Sequence, residues 1–433
     1  MTAPTTNRSP GRSRTDRSRT DRSRAEATEG EQHKERGGLR TARIVLARVL
    51  ASGSPNFFLL FGTTLFLVLF GLTMVLSSSS VTSYVRSDDS FGGFFRQGGF
   101  ALLGVPLMLV VSRVPIRFWK KATPLLLGAG CVLQLLVLFS PLGWEVGGNR
   151  NWLRIGGFTM QPSEIIKLAL ALWLGLLLAR RYRGPKDWKD ALMPVLIVAG
   201  GSIGLVLGGG DLGTVLILAG IVLAALFYAN VQMKVLIPIV LVGAVGAVLF
   251  AVSSENRLTR IMSFLGDCSG SEQYETSCWQ PVHGTWAMAS GGIFGVGLGN
   301  SKAKWSWLPA ADNDYIFAII GEELGLIGAI VVLALFVVLA IAFFRIIHAS
   351  TDPFVRITTG AVMVWLIGQA FVNIGVVLGV LPVLGVPLPL ISSGGTALLS
   401  SLLAIGVVLS FARHQTSPSD GAAARAAKKA AAR

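Results

Sequence analysis

The sequence predicts an all-α polytopic membrane protein of about ten transmembrane helices, with both termini cytoplasmic and a large extracellular loop between helices seven and eight. Three observations carry this expectation. Hydrophobic residues fill 52% of the 433 positions and charged residues only 14%, where a soluble domain carries about a quarter charged. Apolar stretches of about 20 residues, long enough to cross hydrocarbon as a helix, recur along the chain. Lys and Arg gather in both tails and in alternate short loops, the pattern that orients a chain in a bilayer.

Residues 1–50 precede the first long apolar run and hold twelve Lys/Arg against six Asp/Glu. The segment RSRTDRSRTDRSR at 12–24 repeats every five residues and offers nothing to bury, so a disordered basic cytoplasmic tail is expected over 1–50. The first 40 residues lack the apolar core of a cleavable signal peptide, and 44–49 could lie along the membrane surface. A second basic tail follows at 413–433, and the two tails supply ten of the fifteen net positive charges. Beside membrane spans such tails are expected to stay inside and to touch anionic lipids; no nucleic-acid partner is expected.

Between the tails, a membrane domain is expected over 51–412, with spans at 57–78, 93–112, 122–141, 164–180, 190–208, 213–230, 234–253, 314–344, 357–380 and 390–411. The second and fifth are rich in Gly, which suits close packing in lipid. The eighth is too long for an upright crossing and should tilt or extend beyond the bilayer. Basic residues mark the loops after span two (Arg113, Arg117, Lys120, Lys121), span four (Arg180, Arg181, Arg183, Lys186, Lys189) and span eight (Arg345, Arg356) as cytoplasmic. An even number of spans agrees by bringing both ends to one side. Loops 79–92, 142–163, 209–212, 254–313 and 381–389 then face outward. Loop 254–313 is too long for a simple connection and is expected to be functional. It contains Cys268 and Cys278, a disulfide candidate in an oxidising compartment, the alternative being two free thiols. Cys131 sits in an apolar span as a packing residue.

Ionisable groups near the outer face carry the functional signal, because burying them in a membrane is costly. Asn149-Arg150-Asn151-Trp152-Leu153-Arg154 leads through Ser163 and Glu164 to Lys167; Asp211 opens span six; Asp312-Asn313-Asp314 opens span eight, which carries Glu322 and Glu323; Ser392 and Ser393 stand at the mouth of span ten. Each also has a plain structural reading. Asp211 and Asp314 sit where helix caps belong. Glu164 and Lys167 are spaced to neutralise one another on one helix face. Arg150 and Arg154 could be interfacial anchors, and Glu322 and Glu323 are expected to be structural. Asp312 and Asp314 together could hold a divalent cation, Mg or Mn, through hard oxygen ligands.

The motifs NRNWLRIGGFTMQPSE at 149–164, DLGT at 211–214, SGGIFGVGLGNSK at 290–302, NDYIFAIIGEELG at 313–325 and PVLGVPLPLISSGGT at 382–396 resemble, in this order, those of the SEDS (shape, elongation, division and sporulation) family, which includes FtsW, RodA and SpoVE. The resemblance covers about 57–412, and IFAIIGEELG with the basic tail is closer to the FtsW branch. It implies a ten-helix fold and a peptidoglycan glycosyltransferase that polymerises lipid II at the outer membrane face during cell division. It implies as partners lipid II, a polyprenyl-diphosphate-linked glycan, a class B penicillin-binding protein (the septal transpeptidase) and other divisome membrane proteins, all at the division septum of a bacterial plasma membrane. Asp314 matches the family's catalytic acid, and Glu164 and Lys167 match a pair beside the substrate groove. Asp211, Arg150, Arg154, Ser392 and Ser393 join them as expected substrate-binding residues. The chain departs from the family at Asp312 (commonly His), Tyr315 (Phe), Ser393 (Tyr) and Gly210 (Pro). A lipid II flippase and a non-catalytic scaffold recruiting a transpeptidase are the alternatives.

Overall fold

The computed structural model describes residues 53–181, 188–266, 268, 278–305 and 307–413. The expected tails over 1–50 and 414–433, and Arg183 and Lys186, lie outside the described residues. The helices are α1 (Pro55–Ser87), α2 (Gly92–Val111), α3 (Ile116–Phe139), α4 (Pro162–Arg181), α5 (Trp188–Gly208), α6 (Leu212–Tyr228), α7 (Met233–Val252), α8 (Glu255–Leu265), α9 (Trp279–Ser290), α10 (Ile316–Ala349), α11 (Pro353–Val377) and α12 (Gly395–Arg413). Eight of them are long and apolar enough to cross a membrane, and two shorter apolar segments, Leu192–Gly208 and Leu212–Tyr228, occupy the fifth and sixth expected positions.

Local chemistry sets several boundaries. The Ser54 side chain accepts from the Phe57 amide with Pro55 in the first turn of α1, and Asp352 does the same for Phe354 with Pro353 in α11. A side-chain acceptor answers one of the amides a helix start leaves open, and proline loses nothing there. α11 carries a π-type turn at Val364–Gly368.

α4, α11 and α12 form the centre, with 72, 67 and 72% of their apolar windows buried, whereas α7 at 11% lies at the periphery. At one end Val111, Trp119, Leu172, Leu176, Phe354, Val407 and Phe411 join α2, α3, α4, α11 and α12. Lipid tails are as apolar as these side chains, so shape-matched van der Waals contact holds them. Gly406 belongs to this logic: a Cβ there would stand 2.8 Å from the Met108 carbonyl oxygen of α2. The Ser54 hydroxyl donates to Ala412 O at 3.0 Å, so the start of α1 and the end of α12 lie at one end of the bundle. Lys120 and Asp352 pair at 2.7 Å, which brings the basic loops after α2 and α10 together.

Three segments carry structure that the apolar pattern alone does not specify. Residues 142–163 form a small antiparallel sheet, β1 (Gly143–Val146), β2 (Asn149–Ile155) and β3 (Phe158–Met160), in the order β1-β2-β3. Trp144 faces Trp152 and Leu153 faces Met160. Gly147, Gly148 and Gly156 supply the positive φ that tight hairpins need. The eighth apolar run, one continuous span in the sequence reading, is broken at Gly325 (φ 68°, ψ −166°). Finally, 254–313 is no simple outer loop. It forms α8 and α9, and residues 291–297 then run beside the break in α10. Val296 and Gly297 amides donate to Glu322 O and Glu323 O at 2.9 and 3.0 Å, and the Leu326 amide donates to Gly292 O at 2.9 Å. Buried backbone outside a helix needs its amides and carbonyls paired, and these cross-links pair them. A disulfide joins Cys268 and Cys278 between α8 and α9.

Gly325→Ala is expected to destabilise the protein by about 1–3 kcal/mol, because a Cβ is strained at that φ and would crowd the Gly295 amide. Gly128→Ala in α3, where a Cβ meets nothing within 4 Å, should be neutral or slightly stabilising. Thermal midpoints of the two variants in the same detergent test the contrast.

Candidate active site

A cleft of about 350 Å³ opens where the start of α6, the end of α7, α8, the β1–β2 turn and residues 382–384 converge. Asp211, Arg257 and Arg260 line it. Asp314 adjoins it across Gly385, where a Cβ would lie 3.7 Å from Asp314 Oδ2 and 3.9 Å from Arg260 Nη1.

The two expected caps separate here. Asp211 is a cap: its Oδ1 accepts from the Thr214 amide at 2.9 Å, and its Oδ2 accepts from Thr214 Oγ1 at 2.7 Å and Gln161 Nε2 at 2.9 Å. Asp314 is not one, since α10 begins after Tyr315 without a side-chain cap. Among the described residues Asp314 Oδ1 is the only buried carboxylate oxygen without a hydrogen-bond partner. Burial pushes the Asp314 carboxyl up to about 6; Arg260 nearby opposes the rise, and Asp211 and Asp312 add to it. Burial also raises Asp211, against its hydrogen bonds to Thr214.

While its carboxylate is free, the backbone of Asp314 is clamped. Asn373 Nδ2 on α11 donates to Asp314 O at 2.7 Å and to Val386 O at 2.8 Å. Ser392 Oγ donates to Asn313 O at 2.7 Å and accepts from the Leu388 amide at 2.8 Å. The Ser393 amide donates to Asp312 O at 2.8 Å. Ser392 and Ser393, expected to meet substrate, thus brace the turn that carries Asp314. The amide of residue 393 makes this contact whatever its side chain, so Ser in place of the family's Tyr leaves it intact.

The other expected groups are engaged elsewhere. Lys167 is 1% exposed, paired with Glu164 Oε1 at 2.7 Å, bonded to Gln369 Oε1 at 3.1 Å and set over the Trp365 ring. Glu164 Oε2 accepts from Ser400 at 2.8 Å. This pair ties α4 to α11 and α12 and is sealed from the cleft, because a charge so deep needs every donor and acceptor matched inside the protein. Arg150 caps the end of α3 through Val137 O and Ser140 O at 2.9 and 2.7 Å. Arg154 is exposed and lies over the Trp144 ring on the sheet. Glu322 receives the Ser301 hydroxyl and the Lys302 amide, and Glu323 receives Ser77 and Lys304; together they bind the 291–305 segment to α10.

For a divalent cation the donor set is thin. Among the described residues no group of three His, Cys, Asp or Glu side chains could hold a metal, and a guanidinium already stands beside Asp314. An Mg or Mn ion held by Asp312 and Asp314 would need oxygens from substrate phosphates to complete its shell.

Sequence reasoning missed Arg257, Arg260 and Asn373. Their signals were two Arg three residues apart in the long loop and a lone Asn in an apolar span. Gly210, where relatives of the resembling motif carry Pro, has φ 88°, a conformation closed to proline, so this turn follows its own path into the cleft.

Lys167→Met should cost about 3–5 kcal/mol by leaving Glu164 buried and unpaired, and Glu164→Gln in the same chain should restore part of it; thermal unfolding measures both. Folding holds a proton on Asp314 that the unfolded chain releases between about pH 4 and 6. Stability contributed by this group is therefore present at low pH and lost as pH rises through that window. Relative to Asp314→Asn, the wild-type thermal midpoint should fall between pH 4 and 7, by the equivalent of about 1–3 kcal/mol.

The cell cycle protein family model of FtsW, RodA and SpoVE matches residues 57–417. A Mycobacterium tuberculosis relative described as "Probable peptidoglycan glycosyltransferase FtsW" is 37% identical over 399 residues, covering 92% of this chain and 75% of the relative. Stage V sporulation protein E of Bacillus subtilis is 34% identical over 361 residues, 83% of this chain and 98% of that protein. Among solved structures, the rod shape determining protein RodA of Thermus thermophilus aligns with a TM-score of 0.62 at 25% identity, over 83% of this chain and 97% of that one. A chain from a study of the structural coordination of polymerization and crosslinking by a peptidoglycan synthase complex aligns with a TM-score of 0.66 at 26% identity, over 82% of this chain and 98% of that one. Sequence and fold agree over the whole helical bundle, and the chain belongs to the FtsW, RodA and SpoVE family of membrane proteins.

Proposed function

We propose that this chain is a peptidoglycan glycosyltransferase that polymerises lipid II at the outer membrane face, with Asp314 as general base. The free carboxylate of Asp314, clamped through its backbone at the edge of a cationic cleft, carries the reading. The 4-hydroxyl oxygen of an incoming lipid II attacks the anomeric carbon of the growing lipid-linked glycan. As that C–O bond forms, the bond to the polyprenyl diphosphate breaks and the diphosphate leaves with the electron pair. The hydroxyl proton passes to Asp314, because a neutral alcohol is a weak nucleophile until a positioned base takes its proton. A carboxyl pushed up to about 6 is mostly ionised at neutral pH yet basic enough to accept it. The name of the Mycobacterium tuberculosis relative supports the reaction type.

All ten apolar helices cross the membrane in this reading, with the cleft on the outer side and the basic loops inside, as the Lys/Arg asymmetry favours. The partner is a class B penicillin-binding protein, supported by the likeness to a chain of a complex that couples polymerization to crosslinking. Action with other division proteins at the septum rests on the similarity to FtsW. A flippase would need a polar path between helices, and the buried charged groups available for one, Glu164, Lys167, Glu322 and Glu323, are closed in internal hydrogen bonds.

Purified protein given lipid II, with and without the transpeptidase, should yield glycan strands, and Asp314→Asn should yield none while still binding its partner. The wild-type rate should rise with pH through about 6 as the base ionises. Full polymerisation by Asp314→Asn removes the assigned base. Lipid translocation without polymer from the wild type favours the flippase.

A further inference from the structure

We propose that Arg260, backed by Arg257, forms a binding site for the diphosphate of a lipid-linked sugar in the cleft beside Asp314. The proposal rests on the glycosyl-transfer reading above and deepens it. None of Lys167, Arg150 and Arg154 serves as the cation for the leaving group: the first is sealed, the second caps α3 and the third sits out on the sheet. A dianionic leaving group in an apolar setting needs positive charge close to where its own charge grows. The two arginines on α8 supply it.

Their spacing, three residues apart on one helix, brings both to one face, and both line the cleft. Arg257 is the fixed member. Its Nη2 donates to Gly210 O at 3.2 Å, its Nη1 to Phe250 O at 3.3 Å, and its guanidinium lies 4.0 Å from the centre of the Phe250 ring. A guanidinium has five N–H donors, so these bonds orient the group and leave donors over. Arg260 is the available member: among the described residues its guanidinium has neither a hydrogen bond nor an ion pair within 4.0 Å, though it shares the Gly385 corner with Asp314. An unspent cation in the cleft and an unspent carboxylate thus flank Gly385, so a diphosphate would meet the first with its sugar close to the second.

The walls fit the rest of such a ligand. Leu216, Ala247, Val248 and Val252 make an apolar side running along α6 and α7. α7 is largely uncovered by protein, so this side is continuous with a lipid-facing surface. Charge at the head and hydrocarbon along one wall suit an amphiphile with a phosphate headgroup better than a free nucleotide or soluble sugar phosphate. Arginine presents N–H pairs that match two phosphate oxygens at once, a geometry lysine lacks.

The test uses the full chain in nanodiscs and two probes of equal chain length, a polyprenyl diphosphate without sugar and the uncharged polyprenol. Wild type and Asp314→Asn should both bind the diphosphate. Arg260→Ala should weaken it about tenfold or more, Arg260→Lys should weaken it less, and polyprenol binding should be the same in all four. Arg260→Ala binding the diphosphate as tightly as wild type overturns the site. Equal loss of both probes in Arg260→Ala and Arg260→Lys also overturns it, since the arginine would then be supporting the fold alone. Diphosphate binding that depends on Arg260, in a protein that makes no glycan from lipid II, would keep the site and remove the glycosyltransferase reading.

Discussion

Inside a bundle surrounded by hydrocarbon, a polar group that the chain itself fails to pair has no water to turn to, and this constraint organises the molecule. It explains why Glu322 and Glu323, charged residues within the longest apolar helix, are each wrapped by hydroxyl and amide donors from a neighbouring segment. It explains why the break at Gly325 is accompanied by a hydrogen-bonded turn segment at 291–297. It also explains why Lys167, buried nearly to its tip, has a carboxylate, an amide oxygen and an aromatic face around it. Among the described residues, the Oδ1 of Asp314 is the one buried carboxylate oxygen left without such a partner.

The acids of the chain divide into two kinds of work. Glu164, Asp211, Glu322 and Glu323 spend their oxygens on the protein, joining helices or closing a helix start. Asp314 spends only its backbone, through Asn373 on α11 and the turn held by Ser392 and Ser393. A carboxylate held by its main chain keeps its position without surrendering its lone pairs. That is what a base near a reacting hydroxyl requires, and it costs folding energy that the rest of the bundle must supply.

Loops build the mouth of the site. α8 brings Arg257 and Arg260, the β1–β2 turn brings Gly147 and Gly148, and the positive φ at Gly210 sets the path of the chain into Asp211. α9 buttresses the far side: at Gly284 the helix passes so close to the Tyr315 ring that a Cβ there would stand 2.5 Å from it, next to Asp314. The disulfide between Cys268 and Cys278 ties the end of α8 to the start of α9, so the element bearing Arg257 and Arg260 and the element packed beside Tyr315 are linked covalently.

The apolar helices and their order, the cap at Asp211 and the acid at 314 were legible in the sequence, because each depends on a short stretch of chain: a run of apolar residues, a side chain three positions from an amide, a motif. The hairpins at 143–160 were signalled by paired glycines, but their alternation is short and weak beside the hydrophobic runs. What no local pattern could decide was the use of each charge. Lys167 and Arg260 look alike as basic residues near the expected outer face; one is consumed by Glu164 and Gln369, while the other has no hydrogen bond or close ion pair among the described residues. That difference arises from contacts between residues as far apart as 164 and 400 or 260 and 385. Spacing along one chain segment does not encode such distances; the packing of the helices does.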